Sequence, residues 1–160
     1  MTAFKNKPTL NFILFFSLFA LFAAYFIQHI LEHKPCNLCL IERIPYFSSI
    51  ILILFSLLVK KYEKIVLTLV LLLFLFGFIV SFYHFGIEQG FFSESLVCSL
   101  DKTNKILSTS ELLKELEEQT ISCKIVNFKI FGLSLATINT LISLAISGII
   151  IKNLFNYEEN

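Results

Sequence analysis

Polar residues interrupt this chain rarely, and they fall in clusters. From Leu10 to Ile27 only Asn11, Ser17 and Tyr25 break an otherwise apolar run. Comparable runs follow, and we place four spans at approximately 10–29, 41–59, 65–84 and 130–151. A helix on the surface of a soluble protein keeps one polar face, whereas these blocks are apolar all round. Each is close to the ~20 residues that cross a ~30 Å hydrocarbon core. The pattern predicts an all-α membrane protein, a four-transmembrane-helix bundle forming a single domain over 1–160. Lys5 and Lys7 ahead of the first run imitate a signal peptide. That run exceeds the usual signal core, and three more follow, so it is expected to stay as an anchor.

The segments between the runs carry their own signals. Only Lys60-Lys61-Tyr62-Glu63-Lys64 joins the second and third spans, which predicts a tight antiparallel pair. Pro45 removes a backbone donor near the start of the second span. Either that span begins near Ile44 with Pro45 in its first turn, or it is kinked there. In the long segment 85–129, Ser108 and Glu111 match a capping box, and Leu107 can staple to Leu112. Leu112, Leu113 and Leu116 then form a stripe opposite Lys114, Glu115, Glu117 and Glu118. A short amphipathic helix is expected there, too short to span. It either lies on the bilayer surface or caps the bundle.

Composition agrees: the chain is 56% hydrophobic, with 19 Phe and 3 Pro. A net charge of +1 points to no acidic partner and no nucleic acid. A raw count of charges does not orient the bundle. The densest positive loop is 60–64, which favours the cytoplasm for it and for both termini. External loops 30–40 and 85–129 follow, and all four cysteines lie in them or at their edges. In a bacterium that is the oxidising side.

Cys36-Asn37-Leu38-Cys39 is a CxxC, preceded by Pro35 and followed by Glu42-Arg43. Such spacing suits reversible dithiol chemistry, because a short loop closes the bridge and local fields depress one thiol's pKa. Cys39 is expected at or near the N-terminus of the second span, where a helix dipole favours an anion. Arg43, the only arginine, shares its face if the helix has already begun. Arg43 is also read as a snorkelling interface residue, but beside Cys39 its fork of donors suits a quinone oxygen. Glu42 reads as a helix-start residue or an ion partner. Cys98 and Cys123 lie far apart in the second loop, a spacing that lacks the second knuckle of a zinc site. No metal is expected, although a four-cysteine zinc site and two purely structural disulfides remain alternatives. A long loop with its own cysteine pair suits a soluble partner, since exchange needs in-line approach of a thiolate. Gln28, His29 and His33 precede the CxxC, while His84 and Glu88 end the third span. These histidines read mainly as hydrogen-bonded structural residues. His29 or His84 is a candidate proton donor, with His29 also a candidate for cofactor binding.

The run Gln28-His29 through Lys34-Pro35-Cys36-Asn37-Leu38-Cys39-Leu40-Ile41-Glu42-Arg43 resembles the disulfide bond formation protein B family, DsbB. So do Tyr83-His84-Phe85-Gly86-Ile87-Glu88-Gln89-Gly90 and Phe128-Lys129-Ile130-Phe131-Gly132-Leu133-Ser134-Leu135. The body of the 99–122 loop matches weakly. The resemblance implies a bundle in the bacterial inner membrane that reoxidises a periplasmic DsbA-like thiol oxidase and passes electrons to a membrane quinone, ubiquinone or menaquinone. It implies that the partner attacks Cys98 of a Cys98–Cys123 disulfide, that Cys123 exchanges with Cys36, and that Cys39 is freed beside the quinone under Arg43. A vitamin K epoxide reductase-like oxidase would place its CxxC near the last span, and here it opens the second. A membrane metal-binding or structural protein, or a subunit or assembly factor without chemistry, are the non-enzyme alternatives.

Overall fold

Four helices are long and apolar enough to cross a membrane, and the computed structural model is mostly helical. It describes residues 7–59, 62–94, 98, 123–124, 128–130 and 132–158. The amphipathic helix expected around 108–118 lies outside the described residues. Helix α1 is Lys7–His29, α2 Asn37–Ile41, α3 Ile44–Leu58 and α4 Glu63–Glu88. A two-residue hairpin, β1 Lys129–Ile130 and β2 Leu133–Ser134, precedes α5 Leu135–Glu158. Large apolar side chains cover the outside: Phe15 is 76% exposed and Leu58 84%. In water each would forfeit about 1.5–3 kcal/mol of burial, so the surface suits lipid.

Pro45 settles how the second crossing begins. Its ring would meet the carbonyl four residues back if one helix ran through from Cys36. Instead α2 ends at Ile41, Arg43 N-caps α3, and Pro45 sits in the first turn of α3. The backbone never leaves the helical region across the junction, with Glu42 at ψ −16° and Arg43 at ψ −21°. Asn37–Leu58 therefore makes one crossing in two pieces.

The last helix starts later than the span expected from 130. Gly132 has φ +83°, and Lys129 pairs with Ser134 and Ile130 with Leu133. Those residues are apolar enough to extend the run, but the turn diverts them into a hairpin. Ser134 then receives the backbone N–H of Thr137 at 3.2 Å, which caps the start of α5.

The main core holds Leu10 and Ile13 of α1, Tyr46 and Ile53 of α3, Val66, Leu67, Val70 and Phe74 of α4, and Ile146 and Ile150 of α5. Tyr46 meets Phe74 edge to face at 5.4 Å. Without a hydrophobic drive between helices in lipid, such packing and small polar contacts hold them together. Ser17 of α1 and Ser49 of α3 lie 3.2 Å apart, both buried. At the far end, Asn153 of α5 donates to Thr9 of α1 at 3.0 Å.

Helix α4 ends in a Schellman arrangement that turns the chain back over the bundle. Phe91 N–H bonds the Gly86 carbonyl at 2.8 Å and Gly90 N–H bonds that of Ile87 at 3.0 Å, with Gly90 at φ +80°. A side chain at Gly90 would be strained there. Gly90→Ala should destabilise the bundle by about 1 kcal/mol or more, read as a lower midpoint in denaturing-detergent titration, whereas an unchanged midpoint would contradict the role given to this glycine.

Candidate redox site

The site begins with one turn of helix. Cys36 is the N-cap of α2, and its sulfur accepts the backbone N–H of Cys39 at 3.3 Å. The same turn brings the two sulfurs to 2.8 Å, both cysteines being free thiols. Cys36 is buried and Cys39 half-buried.

From α4, His84 Nε2 lies 3.6 Å from Cys36 Sγ. The other ring nitrogen, Nδ1, is 2.8 Å from Glu42 Oε1. Glu42 Oε2 accepts from Asn139 Nδ2 of α5 at 3.0 Å, and Asn139 Oδ1 accepts from Tyr46 Oη at 2.5 Å. Glu42 and His84 are buried, at 7% and 3% exposure. A continuous polar chain thus runs Cys36–His84–Glu42–Asn139–Tyr46 and ties α2, α3, α4 and α5 together. Glu88, one turn beyond His84, has Oε1 3.9 Å from His84 Nε2, and its buried Oε2 has no hydrogen-bond partner among the described residues.

Beside these groups lies a cavity of about 370 Å3. Its walls are mainly apolar, from Phe16, Ala20 and Ile27 of α1 and Leu135, Ile138 and Ile142 of α5. Cys36, Cys39, Arg43, Glu42, His84 and Glu88 also line it, as does Cys123. Its size and its few convergent polar groups are typical of a small-molecule site. Arg43 is held from α1: Nη1 donates to Gln28 Oε1 at 2.7 Å, and the guanidinium lies 5.0 Å over the Tyr25 ring.

Cys98 and Cys123 form a disulfide with Cα atoms 5.9 Å apart, within the ordinary range. Both are buried, and they pack in one cluster with Cys36, Leu38 and Ile87. The two cysteine pairs are therefore neighbours.

Against the sequence reading, the four cysteines and Arg43 are brought together, but His29 is not. It is exposed, stacks on Tyr25 at 6.2 Å, and does not line the cavity. It lies in the last turn of α1, one turn beyond Tyr25. His33 does line the cavity, against Phe128. The helix N-terminus expected to serve Cys39 serves Cys36 instead, because α2 starts one turn earlier than the span assumed. Glu42, read as a helix-start residue or ion partner, is the partner of His84. Asn139 and Tyr46 escaped sequence reasoning. Their one signal was a hydrogen-bonding side chain inside an apolar run, which by default marks function within a bilayer.

A four-span helical bundle that holds a buried CxxC dithiol against a second, closed disulfide defines a membrane thiol–disulfide protein. Comparison with known sequences agrees: residues 6–152 match the family of disulfide bond formation protein DsbB, and the chain belongs to that family. It is 33% identical over 140 residues to the uncharacterized protein RP370 of Rickettsia prowazekii (strain Madrid E), covering 86% of this chain and 81% of that one. It is 36% identical over 88 residues to the SPbeta prophage-derived disulfide bond formation protein B of Bacillus subtilis (strain 168), covering 55% of this chain and 57% of that one. Membership makes this chain a multi-pass membrane disulfide oxidoreductase.

Cys36 precedes the second crossing, and its thiol is pulled down from 9.0 to about 4. The hydrogen bond from the Cys39 thiol is the largest cause; burial opposes it and His84 adds to it. The Cys36 proton therefore leaves at lower pH than that of an ordinary thiol, which favours the thiolate. With Cys98 and Cys123 replaced by Ser and the CxxC reduced, thiolate ultraviolet absorbance should appear with a midpoint near pH 4. His84→Gln should raise the midpoint, and one near the ordinary ~8.5 in the parent form would refute the assignment.

Proposed function

We propose that this chain is a protein dithiol:quinone oxidoreductase of the bacterial inner membrane, with both termini cytoplasmic and the cysteine loops periplasmic. It recharges a periplasmic DsbA-like thiol oxidase and gives the electrons to the membrane quinone pool. The observation that carries this reading is continuity. Cys123 of the second disulfide and Cys39 of the CxxC line one apolar cavity between α1 and α5, with Arg43 at its wall. The name of the Bacillus relative, a disulfide bond formation protein, points the same way.

In this reading the partner's thiolate attacks Cys98 and displaces Cys123 as a thiolate. Cys123 then attacks Cys36 of an oxidised CxxC, which forms the Cys123–Cys36 bond and leaves Cys39 as a thiolate. The partner's second thiolate closes its own disulfide and releases Cys98. Cys98 attacks Cys123, restores the Cys98–Cys123 bridge and releases Cys36. The result is the dithiol described above, carrying the partner's two electrons.

The cavity residues fit a quinone: an apolar slot for the ring and tail, and Arg43, fixed by Gln28 and Tyr25, to hold a ring oxygen. A ubiquinone or menaquinone there would supply the acceptor for the two electrons released when Cys36 and Cys39 close their bridge. Buried as it is, the His84–Glu42 pair is placed to stabilise the Cys36 thiolate, with Glu42 keeping the imidazole oriented. So strong an oxidant as the soluble partner needs a high-potential acceptor of this kind.

Cys39→Ser should abolish oxidation of a dithiol partner in quinone-containing membranes; full turnover would sink the proposal. Adding quinone to the Cys36→Ser form, where Cys39 is free, should produce a new long-wavelength absorbance. That absorbance should be lost when Arg43 is also replaced by Ala. Neither a structural protein nor an assembly factor would give it.

A further inference from the structure

The groups around Cys36 make a second kind of site. Cys36 Sγ, Cys39 Sγ and His84 Nε2 all lie within 4.8 Å of one another. The Cys36–His84 separation of 3.6 Å is already the edge of a tetrahedron around a zinc ion, about 3.5 Å for ordinary Zn–S and Zn–N bonds. The sulfurs, at 2.8 Å, must part by roughly 1 Å, a change within the range of a rotation of the half-buried Cys39 side chain. Two further observations point to a cation. The Glu88 carboxylate lies beside this group but outside its 4.8 Å limit: Oε1 is 3.9 Å from His84 Nε2, Oε2 has no hydrogen-bond partner among the described residues, and the side chain is 6% exposed. His84, moreover, is oriented as a metal ligand is, with Nδ1 bonded to a carboxylate and Nε2 turned to the thiols.

We propose that the reduced CxxC binds one divalent cation of the zinc type through Cys36, Cys39 and His84, with the Glu88 carboxylate beside them, and that this cation holds the dithiol out of the redox cycle. The site is gated by oxidation state. A Cys36–Cys39 disulfide has no thiolates to offer, so only the dithiol form binds. Binding releases the remaining thiol proton and engages both sulfurs. With both sulfurs bound to the cation, neither is free to act as the nucleophile that disulfide closure by an oxidant requires. The cation is no resident cofactor but a ligand that competes with disulfide closure. Soft thiolates and an imidazole select zinc or copper(I) over magnesium or calcium.

Binding stands apart from the quinone reading; only its effect on turnover rests on that reading. The test uses full-length protein in detergent with Cys98 and Cys123 replaced by Ser, reduced or oxidised at the CxxC. Cobalt(II) is titrated in, and zinc is then added in competition with a chromophoric chelator. The reduced form should take one cobalt per chain, with thiolate-to-cobalt charge-transfer bands that zinc abolishes, and the oxidised form should show none. Equal binding in the two forms, or a reduced form without those bands, would overturn the proposal. Because that comparison uses one and the same chain, it does not depend on any site variant folding. His84→Gln and Glu88→Gln should each weaken zinc at least ~10-fold, and Glu42→Gln, one shell out, by about 10–100-fold. Unchanged affinity in His84→Gln would also refute it. Zinc should slow closure of the CxxC by a small disulfide reagent, reversed by a chelator, and this readout needs no quinone. A reagent rate indifferent to saturating zinc would remove the inhibitory half of the proposal.

Discussion

Glu42 and His84 meet at 2.8 Å inside an apolar bundle, and the rest of the site is arranged around that contact. Neither side chain is tolerable there alone, since an unpaired charge or unsatisfied polar group within a bilayer is expensive. Breaking a buried pair of this kind typically costs about 3–5 kcal/mol, because the abandoned partner stays buried. Glu42 therefore fixes where α4 can sit relative to α2 and α3, and Asn139 extends the same requirement to α5. The polar chain supplies directional constraints that apolar helix surfaces in lipid do not supply by themselves.

The break at Pro45 is what makes the contact available. A continuous helix from Asn37 would carry Glu42 and Cys39 around a single cylinder. Ending α2 at Ile41 and starting α3 at Ile44 instead gives a one-turn segment whose N-cap is Cys36 and whose C-cap is Glu42. Cys36 and Glu42 reach the two nitrogens of one imidazole, and Arg43, the next residue, turns to α1. A proline that merely weakens a helix elsewhere here separates a redox turn from the helix that anchors it.

Much of this was legible in the sequence, and the remainder was not for identifiable reasons. Runs of apolar residues give four membrane helices directly, because nothing else satisfies so much backbone in lipid. The P-C-x-L-C-x-x-E-R run announced thiol chemistry, and Arg43 was read beside Cys39. The hairpin at 129–134 was hidden because Ile130, Leu133 and Leu135 continue an apolar run, and only the backbone of Gly132 reveals the turn. Asn139 and Tyr46 were hidden for a different reason: their partners lie 97 and 93 residues away in the chain, and only folding pairs them. His29 and His84 looked alike in sequence, each at the end of a span. Helix rotation alone separates them, turning one towards Tyr25 at the surface and the other into the dithiol.

Burial of the second disulfide bears on how the two pairs communicate. Cys123, at 2% exposure, is buried in the same cluster as Cys36. In the proposed relay, burial of both pairs in one cluster favours exchange between them, whereas attack by a soluble thiolate requires access to Cys98, itself 7% exposed. The packed arrangement is thus suited to the internal step and closed to the external one. Both can proceed on one chain only if contact with a partner alternates with this packing. The Glu42–His84 contact can stay fixed meanwhile, because it belongs to the helices and involves no residue of the 95–127 segment.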